Sequence, residues 1–174
     1  MNEKLQKILQ ARENRVINQR KLLKKYCLPI LSITLNIPGP EKDNKKIREV
    51  FHQCLKVVRS ELKKSEKSKI IFEKNYFTAD GPEFFLVVKG LFEKDLKKIA
   101  VKIEDEHPFG RLFDIDVLSR DGHKIYRKDV GSPLRKCIIC KNAAINCITS
   151  RKHNREEVIK ITRKMIDDFI SLKK

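Results

Sequence analysis

Two aspartates stand one residue apart in the stretch Gly110-Arg111-Leu112-Phe113-Asp114-Ile115-Asp116-Val117. Read at a period of two, Phe113, Ile115 and Val117 point to one side, and Leu112, Asp114, Asp116 and Leu118 to the other. That alternation predicts a half-buried strand with its apolar side on a core. Carboxylates on adjacent same-face positions lie roughly 6–7 Å apart. The spacing suits Mg²⁺, or Mn²⁺ in its place: a hard cation takes one or two carboxylates, keeps several waters and fills its other positions with phosphate oxygens. Arg111, just upstream, offers a planar fork suited to phosphate. An Asp-x-Asp pair is also what the wet face of an antiparallel sheet displays, but Asp is depleted in strands, and two in the middle of one call for a reason. The chemistry such a set serves is metal-assisted phosphoryl or nucleotidyl transfer, in which cations clamp the attacking and leaving oxygens and arginines offset charge on the departing phosphate.

A third carboxylate is sought nearby. Asp121-Gly122 is a strong hairpin signal. If those two residues form the whole loop, Arg127 lies opposite Asp116, and Asp129 lies opposite Asp114 on the same face. Asp129 would then complete the metal set. Glu104 and Glu106, at the acidic end of the preceding helix, are the alternatives by proximity; acids there oppose the helix dipole and hint at a cation.

A second constellation, Cys137-x2-Cys140 followed by Cys147 and His153, has the residue types of a tetrahedral Zn²⁺ site with three thiolates and one imidazole. Its spacing departs from common zinc modules, and buried reduced cysteines under a loop are the other reading. Around it lie Arg135, Lys136, Arg151, Lys152 and Arg155, a basic cluster suited to a polyphosphate or to plain solvent. Arg12 and Arg15, one helical turn apart, form another such pair.

The elements that must position these groups follow from periodicity. Residues 3–26 have helical spacing through Leu5, Ile8, Leu9, Val16, Leu22 and Leu23. Residues 31–37 alternate as a strand and stop at Pro38-Gly39-Pro40. A helix is predicted over 43–64, a short strand over 70–72, a loop over 75–82, a buried strand over 84–88 and a helix over 92–105. Residues 131–155 are loop-rich. The last helix, 155–172, has Asn154 and Glu157 as a capping box. These elements predict an α+β chain: a mixed sheet with helices packed on it, in a single domain spanning 1–174.

The net charge of +17 favours a polyanionic or acidic partner. Several lysines stand in runs, such as Lys97-Lys98, that a solvated helix face explains equally well. Hydrophobic residues make up 40%, too many for disorder. No apolar run reaches the ~18 residues of a membrane span, and Met1-Asn2-Glu3-Lys4-Leu5 lacks a signal peptide's apolar core. Five cysteines, an odd number, point to reduced thiols in the cytoplasm.

The chain resembles the apo-citrate lyase phosphoribosyl-dephospho-CoA transferases, also called holo-citrate lyase acyl-carrier-protein synthases. The resemblance is carried by Ala11-Arg12-Glu13-Asn14-Arg15, by Thr34-Leu35-Asn36-Ile37-Pro38-Gly39-Pro40 and by His107-Pro108-Phe109-Gly110 continuing through the acid strand. It ends with Gly131-Ser132-Pro133-Leu134-Arg135-Lys136-Cys137-Ile138-Ile139-Cys140, then Ala143-Ala144, Cys147 and Arg151. It implies a cytoplasmic enzyme that attaches the phosphoribosyl-dephospho-CoA group of triphosphoribosyl-dephospho-CoA to a serine of the citrate lyase acyl carrier (gamma) subunit, releasing pyrophosphate. The nucleophile then belongs to the partner. It further implies a nucleotidyltransferase-like fold with Asp114, Asp116 and Arg111 at its catalytic centre, and Arg12, Arg15, Asn36, Gly110, Arg135 and Arg151 as substrate-binding positions, to which the hairpin register adds Arg127. The Gly-Ser turn that polymerase-beta-type nucleotidyltransferases place well ahead of their acids has no counterpart here; Gly110-Arg111 stands only a few residues before Asp114. Related transferases serve malonate decarboxylase, and the Asn36–Pro40 block favours the citrate branch. No membrane and no nucleic acid is expected as partner. A non-catalytic nucleic-acid-binding protein is the rival from another class; the chain's lack of Trp and its three Tyr speak against it.

Overall fold

The computed structural model describes residues 3–172. Met1 and Asn2, on which the expectation about a leader partly rests, lie outside them. Helix α1 (Glu3–Tyr26) leads into strand β1 (Ile30–Leu35), helix α2 (Lys45–Lys63) and a hairpin of β2 (Lys69–Thr78) and β3 (Gly81–Lys89). Helix α3 (Glu93–Glu106), strand β4 (Phe113–Leu118) and the two-residue β5 (Lys124–Ile125) follow, then a short helix α4 (Ala144–Thr149) and α5 (Arg155–Ser171). Two 3₁₀ turns, Gly110–Leu112 and Arg127–Val130, flank the acid strand on its N- and C-terminal sides.

The strands form one sheet in the order β2-β3-β1-β4-β5. A mixed sheet was expected; every strand pairing is antiparallel. Helix α3 carries the chain from the end of β3 back to the start of β4, so those two strands run the same way. They never touch, because β1 lies between them and bonds each one antiparallel.

One sheet face holds the main core. Ile33, Phe84, Leu86, Ile115 and Val117 pack there against Phe51, Leu55 and Val58 of α2, Leu96, Ala100 and Ile103 of α3, and Ile166 and Phe169 of α5. Phe113, Ile115 and Val117 are fully buried, as the period-two reading requires, and each such side chain stabilises the fold by about 1.5–3 kcal/mol. Asn44 caps α2 by accepting the Ile47 N–H, and Asn154 caps α5 by accepting that of Glu157. Helix α1 lies across the other face, where Leu23 joins Ile30 and Val87 in a smaller cluster. Among the described residues, no helix is long and apolar enough to cross a membrane.

Two local expectations are corrected. The loop over 75–82 is mostly strand: β2 runs to Thr78, and β3 begins at Gly81. Gly81 holds φ +105°, and a Cβ there would meet the Lys42 carbonyl at 2.7 Å, so the chain does turn here, but between Thr78 and Gly81 alone. Strand β2 escapes period-two reading because it is a largely exposed edge with a register shift between Ile70 and Phe72. Leu112, assigned to the acid side, is fully buried, since its 3₁₀ turn breaks the alternation just before β4 starts.

Candidate active site

Strand β4 pairs with β1 so that Ser32 faces Asp116 and Thr34 faces Asp114. These polar residues share the sheet face that α1 crosses, where Gln19 donates to Ser32 Oγ at 3.0 Å. The Thr34 hydroxyl donates to Asp114 Oδ2 at 3.3 Å. Asp114 and Asp116 are both half-buried. Burial first, and then the negative charge of Asp116, push the Asp114 carboxyl above the ordinary carboxylate range.

The other edge of β4 is closed in an unusual way. Strand β5 reaches only Val117 and Leu118, which leaves Phe113 and Ile115 without a strand beside them. Side chains take its place. Glu104 accepts the Ile115 N–H at 3.0 Å, and Lys97 Nζ donates to the Ile115 carbonyl at 3.2 Å. Arg135 donates to the Phe113 carbonyl and, at 3.2 Å, to that of Gly110. Buried backbone groups need partners, and here α3 and the segment after β5 supply them while bringing charge to the acids.

Those charges are mutually balanced. Lys124 Nζ lies 2.7 Å from Asp116, and Arg135 Nη1 lies 3.6 Å from Asp114. Arg127 pairs with Glu104 at 2.7 Å and with Asp105 at 2.9 Å. Lys97 is buried, and that burial lowers its pKa. Arg111 is the least satisfied: its Nε and Nη1 are buried without a hydrogen-bond partner, as is Nε of Arg135. Burial, and next the charge of Arg135, push Arg111 down to about 10. A cavity of about 320 Å³ opens onto Asp114, Asp116, Lys97, Lys124, Arg127 and Arg135, with Tyr126, Leu134 and Ile145 among its walls. The last three are exposed apolar side chains.

The hairpin register differs from expectation by one residue. Val117 faces Ile125 and Leu118 faces Lys124. The loop is three residues, Arg120-Asp121-Gly122, closed by the Ser119 N–H to His123 carbonyl bond at 2.9 Å, with Gly122 at φ +86°. Asp129 is therefore not opposite Asp114. Its Oδ2 accepts the Tyr126 N–H at 2.7 Å and starts the second 3₁₀ turn. Arg127 does not face Asp116 across a strand pair either, yet its guanidinium reaches the same cavity through Glu104. Glu104, 4% exposed, lines the same cavity as Asp114 and Asp116.

Other expected positions are placed as follows. Gly110 is buried where a Cβ would meet the Glu104 carbonyl at 2.4 Å, so its part is to let the turn pass against the end of α3. Arg12 makes two bonds to Asp80, each 3.1 Å, and Arg15 bonds Glu83 and Asp80, each at 2.8 Å. Both arginines thus clamp α1 to the β2–β3 hairpin rather than standing free for a ligand. Asn36 is exposed just past β1, where its N–H donates to the Leu112 carbonyl at 2.8 Å. Arg151, at φ +49° after α4, is exposed and is not part of the cavity wall.

Lys97, Lys124 and Thr34 were not singled out from the sequence. The first had a signal: Lys97, Val101 and Glu104 recur at i, i+4 and i+7, a stripe beside the apolar one and facing the β4 edge. The cysteine cluster does assemble. One ligand atom from each of Cys137, Cys140, Cys147 and His153 lies within 4.8 Å of all the others.

An oxygen-only donor set fits a hard divalent cation, and a buried Asp114 carboxyl that the charge of Asp116 pushes further up is an arrangement a cation relieves. In chemical terms the cavity can hold a phosphate chain between carboxylates and guanidinium or ammonium groups. The family model described as apo-citrate lyase phosphoribosyl-dephospho-CoA transferase matches residues 3–169. A protein of Vibrio cholerae serotype O1 (strain M66-2), named probable apo-citrate lyase phosphoribosyl-dephospho-CoA transferase, is 34% identical over 169 residues, covering 95% of this chain and 92% of the relative. A protein of Streptococcus pyogenes serotype M3 with the same name is 36% identical over 171 residues, covering 96% of this chain and 87% of the relative.

Proposed function

The chain belongs to the apo-citrate lyase phosphoribosyl-dephospho-CoA transferase family, and on that premise we propose that it carries out this transfer at the Asp114–Asp116 cavity. The donor is triphosphoribosyl-dephospho-CoA. The acceptor is a serine hydroxyl of the acyl carrier subunit of citrate lyase. The serine oxygen forms a bond to the innermost phosphorus of the triphosphate, the bond from that phosphorus to the outer two phosphates breaks, and pyrophosphate leaves. One proton per turnover ends in the medium. The enzyme works in the cytoplasm as a single nucleotidyltransferase-like domain, with the acid strand and its hairpin at the reacting centre.

The observation that carries this reading is the meeting of two same-face carboxylates with Arg135, Lys97 and Lys124 around one cavity. Asp114 and Asp116 would hold Mg²⁺, or Mn²⁺, with Thr34 orienting Asp114. The cation, when bound, neutralises the phosphate oxygens and draws charge from the reacting phosphorus. Arg135 and Lys97 hold the outer phosphates as negative charge builds on them. Lys124 leaves Asp116 to pair with phosphate as the donor enters. Arg111 stands behind Arg135 and acts by its charge. Tyr126, Leu134 and Ile145 offer the apolar wall that an adenine ring needs. Neither Asp129, spent on its own turn, nor the paired Arg12 and Arg15 is needed.

The test is intact mass spectrometry of the apo carrier subunit after incubation with this protein, the triphosphoribosyl donor and Mg²⁺. The expected result is a mass gain equal to phosphoribosyl-dephospho-CoA that EDTA prevents. A carrier left unmodified by folded protein and intact donor overturns the reading, and modification of the malonate decarboxylase carrier in its place reassigns the acceptor.

A further inference from the structure

Residues 131–154 have almost no core of their own. Among them only Cys147 is buried, and the regular structure is the six-residue α4 and one bridge between Lys136 and Ala143. Such a segment needs something other than apolar burial to hold one shape. What it has is convergence: Cys140 Sγ lies 3.5 Å from Cys147 Sγ and 3.4 Å from His153 Nε2. In a tetrahedral Zn²⁺ site, bonds of about 2.3 Å to sulfur and about 2.0 Å to nitrogen put neighbouring ligand atoms about 3.5–3.8 Å apart. The two distances fall within about 0.3 Å of these values.

Three independent features point the same way. The Ile139 N–H donates to Cys137 Sγ at 3.4 Å, an outer bond of the kind that orients a ligand on a metal. His153 turns Nδ1 toward Glu157 Oε2 at 3.6 Å and Nε2 toward the sulfurs, the carboxylate-behind-histidine arrangement that orients an imidazole on a metal. The third is charge. Three thiolates and a neutral imidazole around Zn²⁺ carry a net charge of −1, and Arg111, whose Nε and Nη1 are buried without a hydrogen-bond partner, feels the charge of Cys137.

We propose that Cys137, Cys140, Cys147 and His153 bind one Zn²⁺ in a closed tetrahedral site, and that this knot holds Arg135 at the acid strand. Arg135 stands two residues before the first ligand. Its carbonyl accepts the Ala144 N–H at 2.7 Å, the Cys137 N–H donates to Asn142 at 2.7 Å, and its guanidinium caps the Gly110 and Phe113 carbonyls. The ring of bonds that sets the direction of Arg135 is thus closed by the metal ligands. Arg135 is a positioning target of the zinc, and only this second half rests on the proposed function; the metal site does not.

The experiment uses the full chain, purified under reducing conditions and dialysed against metal-free buffer. Elemental analysis is expected to give one zinc per chain, and Co²⁺ in its place the charge-transfer and visible bands of a tetrahedral thiolate site. Cys147→Ser and Cys140→Ser lose the zinc, whereas Cys27→Ser and Cys54→Ser keep it. A zinc-free reduced chain, a Cys140–Cys147 disulfide, or full zinc content in Cys147→Ser overturns the site. For the knot, zinc is stripped and Mg²⁺ restored, and trypsin is added. Cleavage after Arg135 in the stripped protein, and resistance once zinc returns, support it; equal resistance in both overturns it. In the transfer assay, stripping lowers the rate by the same factor as Arg135→Ala, adds nothing to that variant and is reversed by zinc. An assay silent in every form while zinc content holds overturns the proposed function and leaves the zinc site standing.

Discussion

The Glu104 carboxylate accepts the backbone N–H of Ile115 at 3.0 Å, so a helix side chain holds the residue between the two candidate metal-binding aspartates. Its other oxygen pairs with Arg127 at 2.7 Å. One buried carboxylate therefore sets both the height of the acid strand and the placement of a cavity cation. Glu104→Gln keeps the bond to Ile115 but turns an amide toward the Arg127 guanidinium. Breaking a buried, charge-assisted contact of this kind costs on the order of 2 kcal/mol. Urea denaturation is expected to show that loss, and unchanged stability would mean that Asp105 alone satisfies Arg127.

Asp114→Asn removes a metal-binding charge and leaves the side chain's size. Transfer is expected to fall by on the order of a hundredfold or more, with the circular-dichroism spectrum unchanged. The readout is the rate of carrier mass gain; near-normal transfer by the variant would remove Asp114 from the chemistry.

The same residue gives a pH signature. The folded-state pKa of Asp114 is raised, burial being the main cause and Asp116 the next. A raised acid binds more protons folded than unfolded between the two pKa values, so its contribution to stability falls as pH rises through that window. Without divalent metal, Asp114→Asn is expected to be more stable than the parent chain at neutral pH. The difference should vanish at pH below the ordinary carboxylate range. Mg²⁺ should raise the melting temperature of the parent and not of the variant. Thermal scans across pH, with and without Mg²⁺, check all three.

Arg15 is bonded to the almost fully buried Glu83 and to Asp80. Arg15→Ala strands the Glu83 charge and is expected to destabilise the chain by on the order of 3 kcal/mol, with the KM for donor unchanged at a temperature where the variant is folded. A raised KM with parent-like stability would restore Arg15 to the substrate.

Gly110 passes so close to α3 that a Cβ would overlap the Glu104 and Ile103 carbonyls at 2.4 and 2.7 Å. Gly110→Ala must push the turn away from the helix and is expected to cost about 1–3 kcal/mol, lowering the melting temperature. Because Arg135 holds the Gly110 carbonyl, transfer should weaken with it.

What could be read from the chain, and what could not, divides along physical lines. Phe113, Ile115 and Val117 alternate with the acids, and burial of the first three follows directly from strand geometry. Leu112 was misassigned because a 3₁₀ turn has no period of two. Asp121-Gly122 marked a hairpin correctly. The same dipeptide serves two-residue and three-residue loops, and that single added residue moved Asp129 and Arg127 off their expected partners. Lys97 hid in a lysine pair: its neighbour Lys98 is exposed while Lys97 is buried on the β4 edge. Glu104 looked like an acid placed against a helix dipole, and its reason is a strand amide that only the tertiary fold brings to it. The cysteine and histidine spacing matched no common module, yet the four ligand atoms converge, because the loop's path and not its spacing decides where they meet.

The placement of β1 at the centre of the sheet has a consequence for how the chain is made. Ile30, Leu31 and Ile33 are fully buried, but both strands that cover β1 come from far downstream, and Thr34 meets Asp114 across 80 residues of sequence. A chain leaving the ribosome therefore carries its central strand, with two unpaired edges, until β3 and then β4 have emerged. Long-range pairing of this kind is slow to form and exposed to mispairing while it waits. Fragments ending before Phe113 leave the middle of the sheet open on one side, and the acid strand is the piece whose arrival closes it.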